Sequence, residues 1–217
     1  HLSLLYRDRR LDERTGSNLS FFMGIYPVFR TMRKAFFVAT FKLHSDIQHP
    51  YIERRRQTMA LNPYHPTALI TGASRGLGLA LARGLSRRGW RLILNARGTE
   101  ALEVARIELS AHTQVIAVPG DVNNPDHRRD LAAAAQASGG LDALVNNAGI
   151  LGPSPQPDLL DYSLDRLEEV YRTNVVAPLG VLQAVRDELK PGARIVNITS
   201  DAGVEPYPGW GGYGSSK

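Results

Sequence analysis

Tyr213 and Lys217 stand four residues apart in the run Y-G-S-S-K. On a helix that spacing puts both side chains on one face, the ammonium one turn beyond the phenol. The pairing has a chemical use. A phenol titrates near 10, too high to exchange protons readily at neutral pH, and a neighbouring ammonium favours its phenolate. Eight tyrosines and four lysines in 217 residues generate about 0.15 such pairs by chance, so the spacing needs support from its surroundings. A second constellation, T-G-A-S-R-G-L-G from Thr71 to Gly78, places Gly72, Gly76 and Gly78 directly after the apolar run TALIT. Glycine serves where a strand-to-helix turn needs positive φ or close approach of another group. The freed loop amides, with those of Ser74, Arg75 and Leu77 among them, and the helix N-terminus then offer donors and a positive dipole to a pyrophosphate.

Five short apolar runs must position these groups: 67–71, 91–96, 114–120, 141–149 and 193–199. Segments with apolar residues three and four apart separate them and predict helices at 76–89, 99–111, 125–138 and 163–190. Strands alternating with helices imply right-handed crossovers and a parallel sheet. The strands are apolar throughout, so both faces are covered. The expected fold is α/β, a three-layer doubly wound parallel sheet of Rossmann-like type. Pro178 falls inside the long fourth helix and is expected to kink it.

The formal charge of +5 is unevenly spread. Residues 1–58 hold 11 Lys and Arg against 5 Asp and Glu, a net of +6; the remainder hold 15 against 16, a net of −1. The part that reads as folded is nearly neutral, which argues against a nucleic-acid footprint. No cysteine is present, which excludes disulfides and thiol catalysis and fits a reducing compartment, so a cytoplasmic location is expected. The six histidines have no metal-ligand spacing, and no metal site is expected. Residues 19–41 are apolar, but Pro27, Arg30, Arg33 and Lys34 interrupt them before the length of a membrane span is reached. Residues 1–58 are expected to be a leader outside the core, disordered or upstream of the true start, with the dinucleotide-binding domain occupying 59–217; Met59 lies eight residues before the first strand. A membrane-attached protein using 19–41 as an interfacial helix is the alternative for that segment.

The turn spacing is G-x-x-x-G-x-G, and Thr71 to Gly78 match T-G-x-x-x-G-x-G throughout. Together with Y-x-x-x-K this resembles the short-chain dehydrogenase/reductase family, over residues 66–217. The resemblance implies cofactor contacts at Asp121 and Val122 in G-D-V after the third strand, and at Asn147, Ala148 and Gly149 in N-N-A-G after the fourth. It implies a catalytic serine at Ser200, thirteen residues before Tyr213, and a fourth active-site residue at Asn174. Ser200 alone also fits a helix N-cap, and Asn174 a surface asparagine. In the implied roles Tyr213 exchanges a proton with the substrate oxygen. Ser200 hydrogen-bonds that oxygen, Lys217 lowers the tyrosine pKa and holds the nicotinamide ribose, and Asn174 positions a relay water.

The preferred cofactor follows from charge. Where an acid would hold the ribose hydroxyls of NAD, the second strand ends Ala96-Arg97, and Arg75 stands in the glycine turn. Each also fits a solvated arginine; together, with no acid beside them, they favour NADP. Family members run on past the lysine with a further strand, a cofactor-closing loop and a substrate segment, so the chain is expected to be a fragment, poorly held at Tyr213 and inactive as given. Val204, Tyr207 and Trp210 either wall an apolar substrate pocket or pack beneath that segment. The expected function is NADP(H)-dependent interconversion of a small carbonyl and a secondary alcohol. The full-length protein is expected to be a homodimer or homotetramer joined through the fourth helix. The rival reading is a Rossmann-type cofactor sensor without catalysis.

Overall fold

A computed structural model describes residues 22–24, 38–42 and 64–217. Five parallel strands form the centre: β3 (Thr67–Ile70), β4 (Arg91–Ala96), β5 (Val115–Pro119), β6 (Leu141–Asn146) and β7 (Leu189–Ile198). They lie in the order β7-β6-β3-β4-β5. Helices α1 (Gly76–Ser86), α2 (Thr99–Ser110) and α3 (Pro125–Ala137) alternate with them, as the periodicity predicts. The apolar strands feed two cores. Ile70, Leu92 and Leu94 pack on one face with Leu102 and Leu109 of α2; Leu69, Ile93 and Leu144 pack on the other with Leu131 of α3. Burial on both faces explains why no polar alternation is visible in β3 or β4. The expected three-layer α/β architecture is therefore present.

The sheet has two further strands. β2 (Val38–Lys42) pairs antiparallel with β7, from Val38 opposite Ile198 to Lys42 opposite Arg194, and β1 (Phe22–Gly24) pairs antiparallel with β2. Both come from the stretch expected to be a leader outside the core, so part of it lies along the sheet. The remainder of 1–58, including most of the interfacial segment 19–41, lies outside the described residues.

The long fourth helix, expected over 163–190, is a correction. It is α4 (Leu164–Tyr171), a π-helical turn (Arg172–Val176) and α5 (Ala177–Ala184), followed by a 3-10 turn (Arg186–Glu188). The ladder widens before Pro178, not at it: Ala177 N–H reaches back to the Arg172 carbonyl. Pro178 sits in the first turn of α5, where the ring is tolerated. Leu189 and Lys190 belong to β7, whose register with β6 jumps between Leu141–Leu189 and Ala143–Arg194. That irregularity absorbs Pro191 and Gly192, which is where a sheet accepts proline. The first helix also stops short of its expected end at 89; Gly89, at φ +76°, makes the turn into β4. Among the described residues no helix is long and apolar enough to cross a membrane, and no three His, Asp or Glu side chains converge as metal ligands.

Candidate active site

Strand order reverses between β3 and β6, and in open α/β sheets the ligand crevice forms beyond the carboxyl ends of such strands. A cleft of about 470 Å³ lies there. Its floor is the glycine turn. Thr71 ties the turn to the end of β6, its hydroxyl accepting from the N–H groups of Asn147 and Ala148, each at 3.0 Å. The Asn147 side-chain amide donates to the carbonyls of Thr71 (2.9 Å) and Gly72 (3.0 Å). A Cβ on Gly72 would lie 2.9 Å from Ala148 Cα, and one on Gly78 would collide with the Gly72 carbonyl. Gly76, at φ +57°, has nothing within 4 Å of where its Cβ would stand. The turn is thus closed on its protein side and bare on its open side, a shape that fits a dinucleotide pyrophosphate.

Of the residues expected to contact a cofactor, Gly72, Ser74, Arg75, Arg97, Asp121, Val122, Asn147, Ala148 and Gly149 line the cleft. Gly76 and Leu77 instead open α1, and Gly78 is buried beneath the turn. Ala96 and Gly120, the neighbours of Arg97 and Asp121 in their motifs, line the cleft too, while Asn95, Gly98, Ala101, Ile150 and Thr173 were not signalled by motif. Asn95 had a weak signal, an amide inside an otherwise aliphatic strand end. Ala96, at the position where an acid would meet the ribose, is buried and leaves that wall without charge of its own.

The second cluster adjoins the cleft through Gly149. A Cβ there would stand 3.1 Å from Asn174 Oδ1 and 3.3 Å from Lys217 Nζ. Asn174 lies in the π turn, and its side chain is fully engaged. Oδ1 accepts from Ile150 N–H, and Nδ2 donates to the Ile150 carbonyl and to Ser216 Oγ, all at 2.9 Å. The widened turn thus carries a side chain that joins the β6 loop to the lysine segment. Tyr213 lies in α6 (Gly211–Gly214), a single turn. Such a turn is too short to persist alone and was expected to be poorly held. Tertiary bonds hold it instead: Tyr171 Oη donates to the Ser215 carbonyl at 3.2 Å, and Thr199 Oγ1 to the Lys217 carbonyl at 2.6 Å. Gly212 packs against the Tyr162 ring and Gly214 against the Ala202 carbonyl, so neither position has room for a side chain.

Lys217 Nζ stands 5.6 Å from the Tyr213 ring centroid and donates to the Ile198 carbonyl at 3.3 Å. Burial pushes the lysine pKa down. The tyrosine was expected to be depressed by this lysine. Here burial dominates and raises it, a hydrogen bond with Ser200 pulls it down, and the Asp201 charge raises it further. Ser200 is buried at the end of β7 and donates to Asp201 Oδ1 at 2.8 Å. That bond, above the burial cost, holds the Asp201 carboxyl below its usual range. Trp210 packs edge-on against Tyr213 (5.9 Å between centroids) and Tyr207 edge-on against Trp210 (6.1 Å), so two of the three expected wall residues lead to the phenol. Val204 is two-thirds exposed. Chemically, the arrangement offers a phosphate-binding turn, two arginines, and a phenol–hydroxyl pair beside an ammonium.

A family model for short chain dehydrogenases matches residues 66–217. The chain is 37% identical over 160 residues to the short chain dehydrogenase penD of Penicillium thymicola, covering 70% of this chain and 58% of that protein. It is 39% identical over 158 residues to gluconate 5-dehydrogenase of Gluconobacter oxydans strain 621H, covering 69% and 59%. It therefore spans somewhat under two thirds of these relatives' lengths. Among solved structures, an NAD+-bound xylitol dehydrogenase superposes with TM-score 0.65 at 29% identity, over 72% of this chain and 61% of that one. An alcohol dehydrogenase from Thermococcus sibiricus complexed with 5-hydroxy-NADP gives TM-score 0.62 at 30% identity, over 70% and 66%. With glycine turn, N-N-A-G loop and Tyr–Lys pair all beyond the carboxyl ends of the central strands, the chain belongs to the short-chain dehydrogenase/reductase family.

Proposed function

We propose that the protein is an NADP(H)-dependent oxidoreductase that interconverts a small carbonyl compound and a secondary alcohol. The observation that carries this is the junction at Gly149, where the lysine and asparagine of the polar cluster meet the wall of the cleft. A nicotinamide cofactor supplies the hydride. The loop amides of the glycine turn and the N-terminus of α1 hold its pyrophosphate. Asp121 and Val122 flank the adenine, and Asn147 to Gly149 pass the ribose. Arg75 and Arg97, both on the cleft wall beside neutral Ala96, suit a 2′-phosphate. Structural relatives divide on this point, one being NAD+-bound and another complexed with 5-hydroxy-NADP.

Tyr213 gives its proton to the carbonyl oxygen during reduction. Burial raises its pKa, which keeps the phenol in the protonated form that reduction uses. Ser200 turns its hydroxyl from Asp201 to the substrate oxygen as charge develops there. Lys217 supplies positive charge beside the phenol and the ribose, and Asn174 fixes the segment that carries it. The exposed apolar side chains of Val175, Val176 and Leu179 support self-association through this region, as a dimer or tetramer.

The test is turnover of a carbonyl panel with NADPH and NADH, for wild type and Tyr213→Phe. Losing the proton donor should cut kcat by about 10² to 10⁴ while leaving NADPH affinity intact. Wild-type protein that binds NADPH but turns over no carbonyl or alcohol would instead favour a cofactor sensor.

A further inference from the structure

His127 is buried on α3 and takes no part in the chemistry above, yet it stands directly behind the cleft. Its Nε2 lies 2.8 Å from Asn95 Nδ2. The same amide donates to the carbonyls of Val118 (3.2 Å) and Gly120 (3.0 Å), while the backbone carbonyl of Asn95 accepts from Ala73 in the glycine turn (2.8 Å). Gly120 N–H closes the corner on the Ala96 carbonyl at 2.9 Å. The imidazole packs flat on Gly120, where a Cβ would run into the ring. Asn95, Ala96, Gly120, Asp121 and Val122 all face the cleft. One histidine thus backs the corner expected to receive the adenosine half of a dinucleotide.

The hydrogen-bond geometry admits only one charge state without loss. Asn95 Nδ2 has two hydrogens, both directed at the Val118 and Gly120 carbonyls, and it can accept nothing, so Nε2 at 2.8 Å must present a lone pair that shares one of them, with the ring hydrogen on Nδ1 toward Asp130 at 3.9 Å. A proton on Nε2 would set N–H against N–H. Flipping the asparagine to relieve that would press Oδ1 against two carbonyl oxygens. We propose that His127 is a positioning residue for the adenosine half of the cofactor, holding Asn95 and the Gly120–Val122 corner in the form that binds a dinucleotide, and that protonation of His127 releases the corner and weakens binding.

This rests on the dinucleotide reading of the cleft. Burial pushes the His127 pKa down, opposed by Asp130 on its own helix and Asp121 in the corner. Neighbouring Arg128 turns away, donating to the carbonyls of Val122 and Asn123. A depressed histidine is neutral above its ordinary value near 6.5, so the effect sets in as pH falls below that.

The probe is ADP-ribose, whose pyrophosphate does not titrate between pH 8 and 5 and which lacks the nicotinamide. Its Kd is measured calorimetrically across that range for the wild type and for His127→Gln, which offers a non-titrating acceptor at the Nε2 position. Wild-type affinity should fall about five- to tenfold toward pH 5, while the glutamine variant should bind with near wild-type affinity at pH 8 and change less than about twofold. Equal pH dependence in both proteins overturns the inference. Should the variant misfold, NMR titration of His127 in the wild type decides: ADP-ribose must lower its pKa, because linkage is reciprocal. An unmoved pKa overturns the proposal equally. Absence of ADP-ribose binding at any pH overturns the dinucleotide reading itself, and this inference with it.

Discussion

At the phosphate turn the backbone is packed so closely that Gly72 and Gly78 have no room for a methyl group, whereas around Tyr213 the positions are held by side-chain hydrogen bonds from Tyr171, Asn174 and Thr199. The turn's one anchoring side-chain pair, Thr71 and Asn147, bonds only to backbone atoms. A backbone-built site tolerates almost no change of shape. The Tyr213 region is packed tightly too, at Gly212 and Gly214, and adds a second requirement: each of its side chains has a protonation state or rotamer that must be right.

The sharpest way to break the comparison is Gly78→Ala. The added methyl would strike the Gly72 carbonyl, so cofactor affinity should fall by about 100-fold or more, with a loss of roughly 1–3 kcal/mol in stability, measured by NADPH titration and thermal melting. Retained affinity would show that the turn is softer than its packing. Ser200→Ala tests the other end: kcat should drop by about 10²-fold with unchanged NADPH affinity, and a parallel loss of both would mean the two regions are one unit. The double change Arg75→Ala with Arg97→Ala should raise the KM for NADPH about tenfold or more and leave that for NADH within about twofold. Equal effects on both would remove the arginines from 2′-phosphate recognition. The smallest effect concerns pH. Because burial raises the Tyr213 pKa above 10, its protonated form persists through neutrality; kcat for reduction should stay flat between pH 7 and 9, while oxidation, which needs the phenolate, should climb through that window. A reduction rate that falls between pH 7 and 9 would place the phenol lower than its burial does.

What was legible in the sequence follows the same division. β3, β4 and the glycine turn were readable because a strand buried on both faces is aliphatic throughout, and a turn with no room for Cβ must be glycine. The π turn at Arg172–Val176 was not. Its apolar spacing continues that of the flanking helices, and only the hydrogen-bond ladder distinguishes it. Asn174 was named from the family resemblance, but its pair of hydrogen bonds with Ile150, 24 residues away, has no local signature. His127 and Asn95 are 32 residues apart and belong to different elements, so their contact is a product of the crossover rather than of either segment. β1 and β2 were missed for a related reason, since antiparallel pairing along a sheet edge is decided by what the neighbouring strand leaves open.

The mating of β2 with β7 bears on how the protein should be handled. From Arg194 to Ile198 the outer side of β7 is matched residue for residue by β2. A version begun at Met59 would bare that row of backbone donors and acceptors, a ready template for the same row on another molecule. Removing residues 1–58 would then exchange that paired margin for a sticky one, and the shortened protein would clump through its sheet before its chemistry could be measured.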